Sequence, residues 1–383
     1  MLLERTDMPQ FIASTSRGLV DALESELQEL SYKIIGRNMN GVMFETSWQG
    51  AYRACLQSRL ASRIMRPVLD FTAYQPEELY GQVQTHDFTK YIKPDQTIAV
   101  DASVRDGKMN DQRFIAMKVK DAIVDQFRDK FGVRPDVEKH GADLVIQVRA
   151  VKNQFSLSVD LSGESLFKRG YRKEALEAPL KENLAAGLLR LAEWDRITPI
   201  VDPMCGSGTI LIEAAMMALN MAPGSHRKNF GFQNWLNFDE EAWERVLDEA
   251  AETEKQDLDF KLFGFDIDRK AISIAKANAK VAGVDHVVEF KSEPVATLNP
   301  PVPEGMIVTN PPYGARIGDE DNLRDVYRDL SYTLKNRFPG WTAWILAGNK
   351  DLVSDLKLKS TRKFQVFNGN IECRLLKYEI QQR

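Results

Sequence analysis

Two short stretches of this chain carry residue types from which a group-transfer site could be built. Asn310-Pro311-Pro312-Tyr313 follows the apolar run 306–309, and Asp202-Pro203-Met204-Cys205-Gly206-Ser207-Gly208-Thr209 follows Ile200-Val201. Two consecutive prolines remove two N–H donors and fix φ, so the first stretch is a rigid turn rich in acceptors: the Asn310 side-chain oxygen and the Pro311 carbonyl, with the Tyr313 ring beside them. An exocyclic amino group on a nucleobase requires such surroundings. Its lone pair is delocalised into the ring, so two acceptors on its hydrogens raise electron density on nitrogen and aim it, while Tyr313 stacks on the base.

The second stretch reads as strand, glycine turn and helix (209–220). Gly206 and Gly208 let the backbone approach a ligand, and the helix start offers unpaired N–H groups. Gly-x-Gly after a strand fits dinucleotide, nucleotide and S-adenosylmethionine sites alike, but the third glycine of the dinucleotide fingerprint is replaced by Leu211, which disfavours a nicotinamide. Asp266 ends the apolar run 261–267, where a carboxylate can accept both hydroxyls of a ribose; Asp268 suits the N-cap of a helix over 269–282. Cys205 has no paired histidine and reads as a small wall residue rather than a nucleophile.

These tips need buried strands behind them, and the pattern supplies strands at 286–291 and 341–347 and a helix at 323–338. The stretches 364–367 and 371–378, joined by Asn368-Gly369-Asn370, predict a terminal hairpin. Upstream, the periodicity predicts strands at 10–13, 32–36 and 41–45, helices at 17–30 and 48–62, then strands at 100–104 and 144–151 around a helix at 114–131. A linker is expected over 160–172, and a helix over 179–194, where Pro179 suits the first turn. The segment 221–258 is an insertion whose Phe230, Phe232 and Trp235, with Arg227 and Lys228, fit either base stacking or an apolar lid.

The chain has 383 residues, 43% hydrophobic and 28% charged, enough for two or three domains. No apolar run approaches a membrane span, and charges in MLLERTDMPQ argue against a secretory leader, so a cytoplasmic location is expected. Three scattered cysteines and four histidines have no metal-ligand spacing, and no metal is expected. A net charge of −4 excludes a uniformly basic coat but not a local cationic patch.

The paired motifs resemble those of class I S-adenosylmethionine-dependent amino-methyltransferases that carry Asn-Pro-Pro-Tyr. Further phrases, 162–166, 169–172, 178–186 and 264–268, in that order with the two motifs, are similar to the THUMP-containing ribosomal RNA guanine-N2 methyltransferases. They look like the amino-terminal half of the large bifunctional 23S rRNA enzyme and its stand-alone relatives; without the second half of that enzyme, a second modification is not expected. The resemblance implies an α/β chain: a ferredoxin-like domain (1–70), a THUMP RNA-binding domain (71–163), and a Rossmann-like methyltransferase domain (164–383) with a seven-stranded sheet ending in an antiparallel hairpin.

It also implies a catalytic turn of Asn310, Pro311, Pro312 and Tyr313. S-adenosylmethionine would be held by Asp202, Pro203, Met204, Cys205, Gly206, Gly208, Thr209, Asp266, Ile267, Ser292 and Asn183. Ser292 stands where the class usually has an Asp for adenine. Lys168, Arg169 and Arg172 at the domain junction, Arg105, Lys108 and Arg113 in the second unit, and Arg227 and Lys228 in the insertion are candidates for RNA phosphates, and Arg316 is a further phosphate-facing candidate. The RNA would be 23S rRNA or a ribosomal precursor. Asn-Pro-Pro-Tyr serves adenine N6 equally well, so a nucleic-acid adenine methyltransferase is one rival. A non-catalytic RNA-binding assembly factor is another.

Overall fold

The computed structural model describes residues 8–173, 180–313 and 320–382. Arg316 and Pro179 lie outside the described residues.

The amino-terminal part builds one eight-stranded sheet from β1 (Gln10–Ser14), β2 (Lys33–Asn38), β3 (Gly41–Glu45), β4 (Arg63–Thr72), β5 (Thr97–Arg105), β6 (Asp136–Val137), β7 (Leu144–Val151) and β8 (Gln154–Asp160), in the order β2-β3-β1-β4-β8-β7-β5-β6. The helices α1 (Val20–Glu29), α2 (Trp48–Gln57), α3 (Pro76–Gln84) and α4 (Gln112–Phe131) cover it. Leu23 and Leu27 of α1 and Ile115, Val119, Ile123 and Phe127 of α4 recur at helical spacing and are buried, so each helix is held by an apolar stripe.

Two expectations fail here. The helix expected over 48–62 ends at Gln57, and residues 63–72 form β4. Pro67 sits where the β4–β8 register shifts, a bulge that tolerates its missing N–H. The expected linker over 160–172 is a packed strap: Leu161, Ser162, Leu166, Arg169 and Tyr171 are all buried.

The carboxyl-terminal part follows as α5 (Glu182–Leu191), β9 (Ile200–Asp202), α6 (Thr209–Ala218), α7 (Glu240–Glu252), β10 (Leu262–Asp266), α8 (Arg269–Val281), β11 (Val288–Ser292), β12 (Met306–Thr309), α9 (Glu320–Arg337), β13 (Thr342–Ala347), α10 (Lys350–Ser354), β14 (Arg362–Asn368) and β15 (Ile371–Glu379). Its sheet runs β11-β10-β9-β12-β13-β15-β14, parallel from β11 to β13 and antiparallel over the terminal hairpin. β9 pairs with β10 on one side and β12 on the other, so the strand order reverses there, and a crevice opens beyond their carboxyl ends.

The insertion joins the two parts. Phe230, Phe232 and Trp235 are buried, with Phe232 stacked on Tyr52 of α2 at 4.2 Å and Trp235 edge-on to Trp48 and Tyr91. Burying each ring stabilises this junction by about 1.5–3 kcal/mol. Base stacking by these rings is thereby overturned: their faces are spent on the interior.

Candidate active site

The crevice is a cavity of about 450 Å³ walled by the tips of β9, β10 and β12. Asp202, Pro203, Met204, Cys205, Gly206 and Thr209 line one side, Asp266 and Ile267 another, and Asn310 and Pro312 a third. The two motifs therefore face one space.

Each position has a local cause. Gly206 and Gly208 hold φ of +52° and +81°, which favour glycine. A Cβ on Gly208 would stand 2.8 Å from the Phe290 ring, so this residue lies inside the turn rather than on the cavity wall. The Asp266 carboxylate accepts from the Gly206 N–H and the Asp268 N–H, both at 2.9 Å, while Asp268 caps α8 through Lys270 N–H. Ile267 is 73% exposed and offers an apolar face at the rim. Asp202 is buried; desolvation pushes its carboxyl up to about 7, against the opposing Thr309 side chain and Met204 N–H. Burial also raises the Cys205 thiol well above its ordinary value, which removes it as a nucleophile.

Asn310 supplies the deciding geometry. Its Oδ1 is buried at the tip of β12 and accepts no hydrogen bond. An orphaned acceptor costs about 1–3 kcal/mol, which a donor brought by a ligand would recover. Pro311 is buried, Pro312 is exposed at the cavity, and Tyr313 is half-buried with its ring against Gly348. The cavity also has walls that the motifs do not announce: Leu180, Ser207, Ile210, Pro294, Val295, Ala296, and Val326 with Asp329 on α9. Val326 and Asp329 stand three apart on one helix, a spacing that shares a face but does not reveal what that face meets.

Several candidates lie elsewhere. Ser292 ends β11 outside the cavity and donates to the Ile267 carbonyl at 3.3 Å; the wall there is Pro294–Ala296. Asn183 is buried outside the cavity lining and donates to Leu60 O and Ser62 Oγ, fastening α5 to the amino-terminal unit. Arg169 is 1% exposed and engages Glu213, Leu166 O and Arg59 O. Arg227 donates to four carbonyls, of Ser162, Glu164, Ser165 and Lys168. Arg172 reaches Glu182 Oε1 (2.8 Å), Leu180 O, Ser207 Oγ and Thr209 Oγ1 (each 3.0–3.1 Å), so it braces the glycine turn from behind. None of these three arginines presents a free guanidinium to a phosphate. Lys168, Lys228, Arg105, Lys108 and Arg113 are exposed.

Among the described residues no cluster of His, Cys, Asp and Glu could hold a metal, and no helix is long and apolar enough to cross a membrane.

Three family models match: an RlmL ferredoxin-like domain over residues 10–65, a THUMP domain over 73–160, and the RMKL-like methyltransferase domain over 169–377. This chain belongs to the RMKL-like methyltransferase family. It is 40% identical over 98% of its length to a Ribosomal RNA large subunit methyltransferase K/L of Syntrophotalea carbinolica, covering 54% of that protein. A "Putative RNA methyltransferase slr0064" of Synechocystis is 39% identical, with 98% of this chain and 97% of that one covered. The chain thus spans about half the length of the K/L relative and nearly all of the shorter one. The crystal structure of SMU.472, a "putative methyltransferase complexed with SAH", superposes with a TM-score of 0.87 at 30% identity over 99% of this chain and 100% of that one. Members of this family depend on S-adenosylmethionine, and the residues present fit it: a glycine turn, a carboxylate at a strand tip, and an exposed apolar rim around one cavity of suitable size.

Proposed function

We propose that this chain methylates an exocyclic amine of an RNA base, and that the amine is guanine N2 in 23S rRNA. The observation that carries the reading is Asn310, which lines the same cavity as the glycine turn and Asp266 and whose buried Oδ1 has no hydrogen-bond partner. S-adenosylmethionine supplies a methyl carbon on a positively charged sulfur, so the C–S bond breaks as the N–C bond forms and the amine sheds one proton.

The chain's own task is alignment. Asn310 Oδ1 and the Pro311 carbonyl each accept an amine N–H, which turns the nitrogen lone pair toward the donor side of the cavity. Asp266 would hold the ribose hydroxyls of the cofactor, with Gly206 allowing close backbone approach. The electrophile is already activated, so neither a covalent nucleophile nor a metal is needed for the step. Tyr313 flanks the turn and offers a ring to the base.

The RNA is supported by the THUMP match, the rRNA and RNA enzymes named among the relatives, and an exposed cationic strip at Arg105, Lys108 and Arg113, and the choice of guanine by the resemblance of the motifs alone. The test incubates the protein with methyl-labelled cofactor and unmodified large-subunit rRNA, followed by nucleoside mass spectrometry. N2-methylguanosine supports the full reading. N6-methyladenosine would transfer the site to adenine, and no turnover on rRNA or its precursor particles would leave a binding factor.

A further inference from the structure

The half-buried Tyr313 ring ends the Asn310–Tyr313 turn, and its surroundings are unusually specific. Asn368 Nδ2, at the end of β14, donates to Tyr313 Oη at 2.8 Å, and the Cys373 thiol of β15 interacts with the same hydroxyl. Behind the ring lies Gly348, where an added Cβ would stand 2.2 Å from Tyr313 Cδ2. Two rigid supports, one from the end of β13 and one from the terminal hairpin, thus fix both the plane and the direction of the ring.

The strand that carries Asn368 is an edge strand of its sheet, and the amino-terminal unit sits on it. Gly18, at φ +86° in the β1–α1 loop, approaches so closely that a Cβ there would meet the Gln365 carbonyl oxygen at 2.1 Å. The Arg17 guanidinium stands 5.8 Å above the Phe367 ring. These approaches fall on residues 365–367, immediately before Asn368.

We propose that Asn368 is a positioning residue for methyl transfer, through which the seating of the amino-terminal unit on β14 sets the Asn310–Tyr313 turn. The inference rests on the reading of that turn as the holder of the amine. It gives the amino-terminal unit a part in the chemical step, in addition to any part in gripping RNA. Removing a hydrogen bond from the acceptor turn misaligns nitrogen and methyl carbon without touching the glycine turn, so rate should fall while cofactor affinity stays.

The test is a double-mutant cycle on the full chain, with kcat, affinity for S-adenosylhomocysteine and Tm measured together. Asn368→Ala should lower kcat about tenfold, the worth of one hydrogen bond, and leave the other two readouts near the parent. In a Tyr313→Phe background the same change should cost less than about twofold, because the hydroxyl it acts through is gone. Gly18→Ala should lower kcat in the parent and add little to Asn368→Ala; if it does not fold, Arg17→Ala, at an exposed residue, replaces it. Full kcat in Asn368→Ala, or an equal loss in the Tyr313→Phe background, overturns the positioning role. Full kcat in the loop variant overturns the link to the amino-terminal unit. If Asn310→Ala also keeps full activity, it is the reading of the turn that has failed; if only Asn310→Ala is inactive, this inference alone has failed.

Discussion

Asp266 Oδ2 accepts the Gly206 N–H at 2.9 Å, so the tip of β10 and the glycine turn after β9 are one hydrogen-bonded unit. The carboxylate is held facing the cavity before any ligand arrives, since its other oxygen is occupied by the Asp268 N–H. Such pre-orientation spares a ligand the cost of ordering its partner. Asp266→Ala removes both the proposed ribose acceptor and the tie to Gly206. Calorimetry should show S-adenosylhomocysteine affinity falling about 100-fold, consistent with two charge-assisted hydrogen bonds. A change under threefold would remove Asp266 from the cofactor site.

Asn310→Ala tests the opposite side of the cavity. The alanine leaves no orphaned acceptor, so the apo protein should be no less stable, and Tm should hold or rise slightly. Transfer should drop by about 10³, because the amine loses its alignment, while cofactor affinity changes by less than about threefold. Parallel loss of affinity and rate would place Asn310 in cofactor binding instead.

The strand tips and the two motifs were legible in the sequence because they are local: an apolar run followed by Gly-x-Gly or Asn-Pro-Pro dictates its own backbone. The failures concern partners far along the chain. Nothing near Arg169 announces Glu213, and nothing near Asn183 announces Leu60, so exposed-looking polar residues proved to be interior ties. β4 was hidden by Pro67, whose bulge can be recognised only once β8 is alongside. The glycine-turn wall follows from its own motif, but the wall at Pro294–Ala296 and on α9 depends on how chain segments cross the crevice.

The buried Asp202 carboxyl gives the free protein a signature in pH. Its pKa rises from 3.8 to about 7 through burial, so the folded state binds the proton more tightly than the unfolded chain does. Between those values the folded state carries more bound protons, and stability therefore falls as pH rises from about 4 to 7, then levels off. Asp202→Asn keeps the shape without the charge. Its Tm should match the parent near pH 3.5 and exceed it by several degrees at pH 8, the full linkage being about 4 kcal/mol. A Tm difference independent of pH would mean that Asp202 stays charged when folded.

Arg172 and the exposed strip at Arg105, Lys108 and Arg113 should separate in salt dependence. Arg172 spends its donors on Glu182, Leu180, Ser207 and Thr209, all within the catalytic part, so Arg172→Ala should loosen the glycine turn and raise the KM for S-adenosylmethionine by about tenfold. Because it neutralises no phosphate, the slope of log affinity for rRNA against log salt should stay at the parent value. The strip behaves in the reverse way. Lys108 rests over the Tyr74 ring and Arg105 beside Asp106, both at the surface, where a phosphate can compete for them. Replacing Arg105, Lys108 and Arg113 together by Ala should weaken RNA binding and flatten the slope by up to about three, roughly one for each phosphate left without its cation, with cofactor KM unchanged. An unaltered slope in the triple variant would move the RNA path off this strip and toward Lys168 and Lys228, the remaining exposed cations among the described candidates.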